Sequence, residues 1–105
     1  MQKIKNQYLI ERLPADYRRD IEKAIHILTA EGCIEIYLFG SLANGKYSPK
    51  SDIDLAVKGL RDSVFFEVLG KLLGALDHPV DLLSLEDKSR FITLLKKRGE
   101  LQRVA

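Results

Sequence analysis

The sequence predicts a small α/β domain in which helices pack on a short β-sheet. Three observations support this fold class. The 105 residues, 46% of them hydrophobic, suffice for one core but not for two. Segments with apolar residues at the spacing of one helical face alternate along the chain with short runs typical of strands. That alternation, with no internal repeat or linker, is the pattern of one sheet with helices packed on it.

The first predicted helix covers residues 14–31. It begins at a proline, which the first turn of a helix tolerates, and ends before Gly32, a residue suited to the position after a helix C-terminus. Residues 34–39 are mostly apolar or β-branched and predict the first strand. We assign the whole chain, residues 1–105, to one domain, and expect residues 1–13 to be frayed or to bind a partner.

A glycine and a serine close the first predicted strand, and residues 41–46 leave room for only one or two turns of helix. A loop with a further glycine, a proline and two serines follows. Residues 52–57 then alternate in character with the period of a strand, and one face of that strand carries Asp52 and Asp54. The second predicted strand is therefore unusual in presenting two carboxylates side by side.

The remaining elements are a helix, a strand and a final helix. Residues 64–76 carry a strongly apolar helical stripe that ends before a proline-containing turn. Residues 80–85 predict a third strand, which holds Asp81. Ser84 and Asp87 resemble a capping box, which predicts the start of the last helix there. The predicted apolar face of that helix comprises Phe91, Ile92, Leu94 and Leu95.

Composition excludes several classes of protein and site. A net charge of +2 gives little general attraction to nucleic acid, so we expect no direct nucleic-acid binding. The single Cys33 excludes an intramolecular disulfide and a multi-cysteine metal site, and favours a reducing compartment, the cytoplasm. His26 and His78 lack the paired spacing of a zinc site. No apolar run is long enough for an export signal or a membrane span, so we expect no membrane association.

Three aspartates lie in or beside predicted strands. Residues i and i+2 of a strand point to the same face, which places Asp52 and Asp54 about 6–7 Å apart along the backbone. If the third strand pairs beside the second, Asp81 joins them. Clustered carboxylates repel one another unless a cation neutralises them, and they are the oxygen ligands that Mg²⁺ prefers. Taken singly, each aspartate fits a solvated turn or strand position; taken together, they favour a metal site.

Gly40 and Ser41 form the turn between the first strand and the short helix. A glycine lets the backbone approach a ligand closely, and amide groups at a helix start point toward anions. Such a turn can hold a phosphate, with the serine hydroxyl adding a hydrogen bond. Alone, a Gly-Ser dipeptide is usually just a turn, so its weight comes from its spacing to the aspartates.

The segment GSLANGKYSPKSDIDL, together with Asp81 on a later strand, resembles the signature of the polymerase-β-like nucleotidyltransferases, and specifically of the minimal nucleotidyltransferase (MNT) family. The resemblance covers the chain from the first long helix to the last helix. It implies the nucleotidyltransferase fold, a small mixed β-sheet with flanking helices. It also implies that Gly40 and Ser41 bind the nucleotide triphosphate, while Asp52, Asp54 and Asp81 are catalytic and hold two Mg²⁺ ions.

One position departs from the family pattern. The short helix of relatives often reads Ala-Arg-Gly, whereas this chain has Asn44 between an alanine and a glycine. A cation that would face the nucleotide is therefore missing, unless Lys46 or Lys50 substitutes for it. The departure leaves nucleotide preference and rate open, while all three carboxylate positions are filled.

The resemblance also implies a biological role. Larger transferases of this fold carry a further domain that binds the acceptor, and 105 residues leave no room for one, so we expect a partner to supply the acceptor. MNT proteins are commonly antitoxins that transfer AMP from ATP to a tyrosine hydroxyl of a partner HEPN-domain ribonuclease toxin, with which they form a hetero-oligomer. Two alternatives stay open: an antitoxin that acts by binding with little catalysis, and a small-molecule nucleotidyltransferase with an aminoglycoside-like acceptor.

Overall fold

Four strands form one mixed sheet in the computed structural model, which describes residues 6–105. They are β1 (Glu35–Phe39), β2 (Ile53–Lys58), β3 (Val80–Ser84) and β4 (Gln102–Arg103). Their order across the sheet is β3-β2-β1-β4. β1 is antiparallel to both β2 and β4, whereas β2 and β3 are parallel. The parallel pair brings the start of β3 beside the start of β2.

The helices are α1 (Gln7–Glu11), α2 (Ala15–Ala30), α3 (Gly40–Asn44), α4 (Phe65–Ala75, after a 3-10 turn at Asp62–Val64) and α5 (Arg90–Arg98). The predicted α/β fold class is confirmed. The two long helices and the three strands that the sequence predicts are present, each end within one residue of its predicted position. Gly32 follows α2 with φ +98°, the left-handed conformation expected just beyond a helix C-terminus.

The prediction for the start of the last helix is wrong. α5 is capped by Ser89, whose hydroxyl oxygen accepts a hydrogen bond from the Ile92 amide at 3.3 Å. Ser84 instead ends β3, and its hydroxyl oxygen accepts from the Glu86 amide. The Ser-x-x-Asp pattern therefore marks a turn, with a second serine five residues later serving as the cap. Of the predicted apolar face, Ile92 and Leu95 are buried, while Phe91 and Leu94 are 52% and 44% exposed.

Two elements had no signal in the sequence. α1 and β4 are five and two residues long, too short to show a period. Within this segment, Ile10 and Leu13 bury their side chains in the core. That residues 1–13 are frayed or bind a partner stays a prediction, and residues 1–5 lie outside the described residues.

The two faces of the sheet have different coverings. On one face Ile53, Leu55 and Val57 of β2 pack in the main core with α1, α2 and α4. On the other face Ala56 packs with Phe39 and with apolar residues of α5. Since side chains alternate along a strand, Asp54 lies on the face that α5 covers in part.

Asp20 of α2 is a fully buried carboxylate, and no other charged side chain among residues 6–105 is buried. It accepts hydrogen bonds from the backbone amides of Asp77 and His78 at 3.0 and 2.9 Å. Its carboxylate also lies 2.7 Å from the His78 ring. A buried charge is tolerated when its hydrogen bonds are made, so Asp20 fastens α2 to the turn that leads into β3.

Replacing Asp20 with alanine is expected to lower the free energy of unfolding by about 3 kcal/mol, because two backbone amides and the His78 ring lose their buried partner. Urea unfolding measures the change. The matched control is Glu22→Ala on the exposed side of the same helix, which should alter stability by less than about 0.5 kcal/mol. Equal effects of the two substitutions would show that the Asp20 contacts contribute nothing.

Candidate active site

Asp54 lies in the middle of the sheet, between residues of both neighbouring strands. In the parallel pair it stands directly opposite Asp81, and in the antiparallel pair it stands opposite Phe39. Neighbouring strands are about 4.8 Å apart, so the two aspartates are adjacent on one face. Asp52 is exposed and lies just before β2. The expectation that the third strand would bring Asp81 to the second is therefore confirmed.

The environment of Asp54 disfavours its charged form. Burial, followed by the neighbouring charges of Asp81 and Asp52, raises the pKa of the Asp54 carboxyl to about 6. All three aspartates are thus close enough to interact electrostatically. A cation bound among them would relieve this repulsion, and protonation of Asp54 relieves it in the absence of a cation.

The raised pKa predicts a pH-dependent term in stability. In the unfolded chain the pKa of an aspartate is about 4. Protonated Asp54 therefore favours the folded state; its contribution is fully present below about pH 4 and is lost as pH rises through about 6. We expect the unfolding free energy of the native chain, minus that of Asp54→Asn, to fall over this range and then to level. Urea titrations at several pH values measure it, and a constant difference would contradict the prediction.

The Gly-Ser turn passes directly over the Asp54 carboxylate. Gly40 has φ +71°, and a Cβ atom there would lie 2.1 Å from Oδ2 of Asp54. Only glycine fits this position without displacing the carboxylate, for steric as well as conformational reasons. Ser41 follows as the second residue of α3 and is half-buried. The structure thus brings the candidate phosphate turn into contact with one of the candidate metal ligands, Asp54.

Two clefts flank α3. One, of about 300 Å³, lies between α3 and the residues that follow α5, and its lining includes Gly40. The other, of about 400 Å³, lies between α3 and α1. Asn44 lines both clefts and is exposed, and its side-chain oxygen accepts a hydrogen bond from the Lys46 amide. Tyr8 and Arg12 line the second cleft, and no sequence pattern pointed to them because the packing of α1 puts them there.

The donor set suits Mg²⁺ in its chemistry. Three carboxylates at one end of adjoining strands supply the hard oxygen ligands that this ion takes. Within residues 6–105, no three or more Asp, Glu, His or Cys side chains are placed so that they could hold a metal ion. Asp52 and Asp81 are exposed, so their side chains have room to turn toward a common point beside Asp54. Burial, and then the charges of Asp81 and Asp52, raise the pKa of Asp54, so a cation bound beside it would favour its charged form.

The remaining candidate ligands are accounted for elsewhere. His26 is exposed on α2. The ring of His78 lies between two carboxylates of α2, Asp20 at 2.7 Å and Asp16 at 3.0 Å, so both of its nitrogens have partners. Cys33 is buried, and that burial raises the pKa of its thiol to about 11, so it is a poor nucleophile. Across residues 6–105 no helix has the length and apolar character to cross a membrane.

Comparison with known families finds one match over most of the chain. The model of the polymerase beta nucleotidyltransferase family matches residues 22–101. This span contains the Gly-Ser turn, all three aspartates and every strand except β4.

Individual relatives point the same way. The protein adenylyltransferase MntA of Shewanella oneidensis is 44% identical over 57 residues, which are 51% of this chain and 41% of that protein. The chain thus matches less than half of the length of this curated relative. A solved toxin-antitoxin structure with AMP-PNP superposes with a TM-score of 0.64 at 31% identity, covering 78% of this chain and 69% of that one.

A further similar structure contains the tri-AMPylated Shewanella oneidensis HEPN toxin in complex with its MNT antitoxin. It superposes with a TM-score of 0.60 at 27% identity, and the match covers 82% of this chain and 69% of the other. At 78% and 82% of this chain, these two likenesses extend well beyond the 16-residue signature segment.

Proposed function

The chain belongs to the polymerase beta nucleotidyltransferase family, and we propose that it transfers AMP from ATP to a tyrosine hydroxyl of a HEPN-domain ribonuclease toxin, for which it is the antitoxin. The observation that carries the proposal is the contact between the Gly40 turn and Asp54, beside Asp81. A group that binds phosphate and groups that bind cations are both needed for this reaction, and here they adjoin.

The turn at Gly40 and Ser41 would bind the triphosphate. Gly40 has no side chain, and the Asp54 carboxylate occupies the space that a Cβ atom would take, so the turn lies against this aspartate. The first amides of α3 have no partner within the helix and are available to an anion. The Ser41 hydroxyl would add a further hydrogen bond. Binding in this way holds the α-phosphorus near the aspartates.

Asp52, Asp54 and Asp81 would hold two Mg²⁺ ions. When bound, these ions neutralise phosphate charge and stabilise both the attacking and the leaving oxygen of an in-line displacement. We assign Asp81 the further role of accepting the proton of the acceptor hydroxyl at a carboxylate oxygen. The tyrosine oxygen then forms a bond to the α-phosphorus, the bond from that phosphorus to the bridging oxygen breaks, and pyrophosphate leaves.

Relatives support the choice of nucleotide and acceptor. One similar structure is a toxin-antitoxin complex with an ATP analogue, and another holds a HEPN toxin that carries AMP groups. The curated relative is a protein adenylyltransferase. We extend these properties to this chain because the family model spans its signature residues and the similar structures cover 78% and 82% of it. The lone, buried Cys33 suits the reducing cytoplasm as the place of action.

A second candidate function is neutralisation of the toxin by binding alone. Asn44 replaces the cation that relatives often carry in the short helix, and the three carboxylates are not placed to hold a metal ion as they stand. Both features would reduce turnover without affecting a protein interface. The two candidates differ in whether neutralisation requires ATP.

An RNA-cleavage assay separates them. The product of the gene next to the one that encodes this chain is incubated with the chain, ATP and Mg²⁺, then separated from the chain and assayed for ribonuclease activity. Transfer of AMP predicts inhibition that persists after the chain is removed. The control replaces ATP with α,β-methylene ATP, whose α-phosphorus cannot be transferred. Inhibition that is equal with the analogue and is lost on separation would favour binding alone.

A further inference from the structure

A chain of contacts joins α2 to the two segments that carry Asp52 and Asp81. It starts at the turn before β3, where both ring nitrogens of His78 contact carboxylates of α2. Nδ1 lies 2.7 Å from the buried Asp20, and Nε2 lies 3.0 Å from Asp16. Because Asp20 also accepts two backbone hydrogen bonds from this turn, the position of His78 is set by several contacts at once.

Tyr17 of α2 continues the chain toward Asp52. Its ring stacks on the His78 ring, with centroids 3.8 Å apart and planes 15° from parallel. Its side chain is buried, yet its hydroxyl donates a hydrogen bond of 2.6 Å to the carbonyl oxygen of Ser51. Ser51 immediately precedes Asp52. A phenylalanine would fill the same space in the core, so the hydroxyl serves the loop rather than the packing.

The two segments are also joined directly. The amide of Ile53 donates a hydrogen bond of 2.9 Å to the carbonyl oxygen of Pro79. Ile53 lies between Asp52 and Asp54, and Pro79 follows His78. Tyr17 and His78 therefore contact two segments that are hydrogen-bonded to each other, one before β2 and the other before β3.

Charge repulsion among the three aspartates is the reason why these contacts matter. The negative charges of Asp52 and Asp81 both act on Asp54. The side chains of Asp52 and Asp81 are exposed and are not held by packing, so the position of their backbone sets their separation. Burial raises the pKa of the Tyr17 hydroxyl, with further contributions from Asp16, Asp52 and Asp20. The phenol thus keeps its proton and can donate it to the Ser51 carbonyl oxygen beside these negative charges.

We propose that Tyr17 and His78 are positioning residues, which hold the backbone of Asp52 and Asp81 at the separation that a bound divalent cation requires. The proposal rests on the proposed function, because it takes these aspartates as the metal ligands. In this proposal neither Tyr17 nor His78 touches the nucleotide or the cation. Both act through the backbone of the segments that carry the aspartates. Residues in such supporting positions commonly change metal affinity by about 10- to 100-fold.

Tyr17→Phe tests the proposal with Mn²⁺ as the probe. Titration followed by electron paramagnetic resonance, with α,β-methylene ATP present, should show Mn²⁺ binding weaker by about tenfold. Hydrogen exchange of the Ile53 amide should be faster in this variant, with or without metal. The matched control is Tyr37→Phe, which removes a phenol hydroxyl that donates to Glu35 on β1, away from the aspartates. It should bind Mn²⁺ as the native chain does.

The outcomes separate this proposal from the proposed function. Unchanged Mn²⁺ affinity in Tyr17→Phe, with only a lower melting temperature, would overturn the positioning role and leave the function untouched. Failure of the native chain to bind Mn²⁺ would overturn the function, and the positioning role with it. His78→Gln provides a second variant, since glutamine keeps a donor for Asp20 but loses the ring stacked on Tyr17, and it should also weaken Mn²⁺ binding.

Discussion

Asp54→Asn is expected to slow AMP transfer by at least about a thousandfold while the domain stays folded. Asparagine keeps the volume of the side chain beside Gly40 but removes the charge that the cation needs. Asp54 is also the aspartate that has both others as electrostatic neighbours, so its loss disrupts the whole donor set. Rates of AMP transfer to the toxin, measured at saturating ATP, report the effect.

The stability of the same variant distinguishes a functional cluster from a structural one. Removing one charge from a group of repelling carboxylates should leave the melting temperature at neutral pH equal or higher. Asp62→Asn is the matched control, because Asp62 is an exposed aspartate in the 3-10 turn, and it should keep full activity. A variant that keeps its rate within tenfold, or that melts at a clearly lower temperature, would contradict the assignment of Asp54 as a metal ligand.

Gly40→Ala is expected to have the largest effect of any substitution outside the carboxylates. The new Cβ would lie 2.1 Å from Oδ2 of Asp54, at a residue whose φ is +71°. Displacing the carboxylate and straining the backbone should together cost about 3 kcal/mol of stability. Because the displaced group is the central aspartate, AMP transfer should fall by about 100-fold or more. Thermal unfolding and transfer rates measure the two effects.

Gly45→Ala is the matched control for the steric part of this effect. Gly45 has φ +82°, and a Cβ there would meet nothing within 4 Å. It should therefore cost only the backbone strain, about 1 kcal/mol, with little change in rate. In an Asp54→Ala background, where the obstructing carboxylate is gone, the stability costs of the two alanines should become similar. Equal costs in the native background would show that Gly40 does not need to clear Asp54.

The candidate site could be predicted more completely than the structure around it, because most of its residues lie close together in the sequence. Asp52 and Asp54 are two residues apart in a strand, and a period of two is visible in any sequence. The turn at Gly40 follows an apolar strand, and its spacing to Asp52 and Asp54 can be read directly from the sequence. Only the contribution of Asp81 required an assumption about strand order, and the parallel pairing of β2 with β3 confirms it.

What escaped prediction depends on contacts between distant residues. His78 has no visible role in its own segment, because its partners Asp16 and Asp20 lie about 60 residues earlier. The two carboxylates four residues apart on α2 look like a solvated helix face, although one of them is buried. α1 was missed for a different reason: a helix of little more than one turn has too few residues to show a helical period.

The intact mass of the HEPN toxin, after incubation with this chain, ATP and Mg²⁺, tests the central claim most directly. The toxin should gain the mass of one or more AMP groups, and it should gain none when the chain carries Asp52→Asn and Asp54→Asn together. Peptide mapping should then place the added groups on tyrosine. An unchanged toxin mass, with a stable complex still forming, would contradict AMP transfer and leave neutralisation by binding.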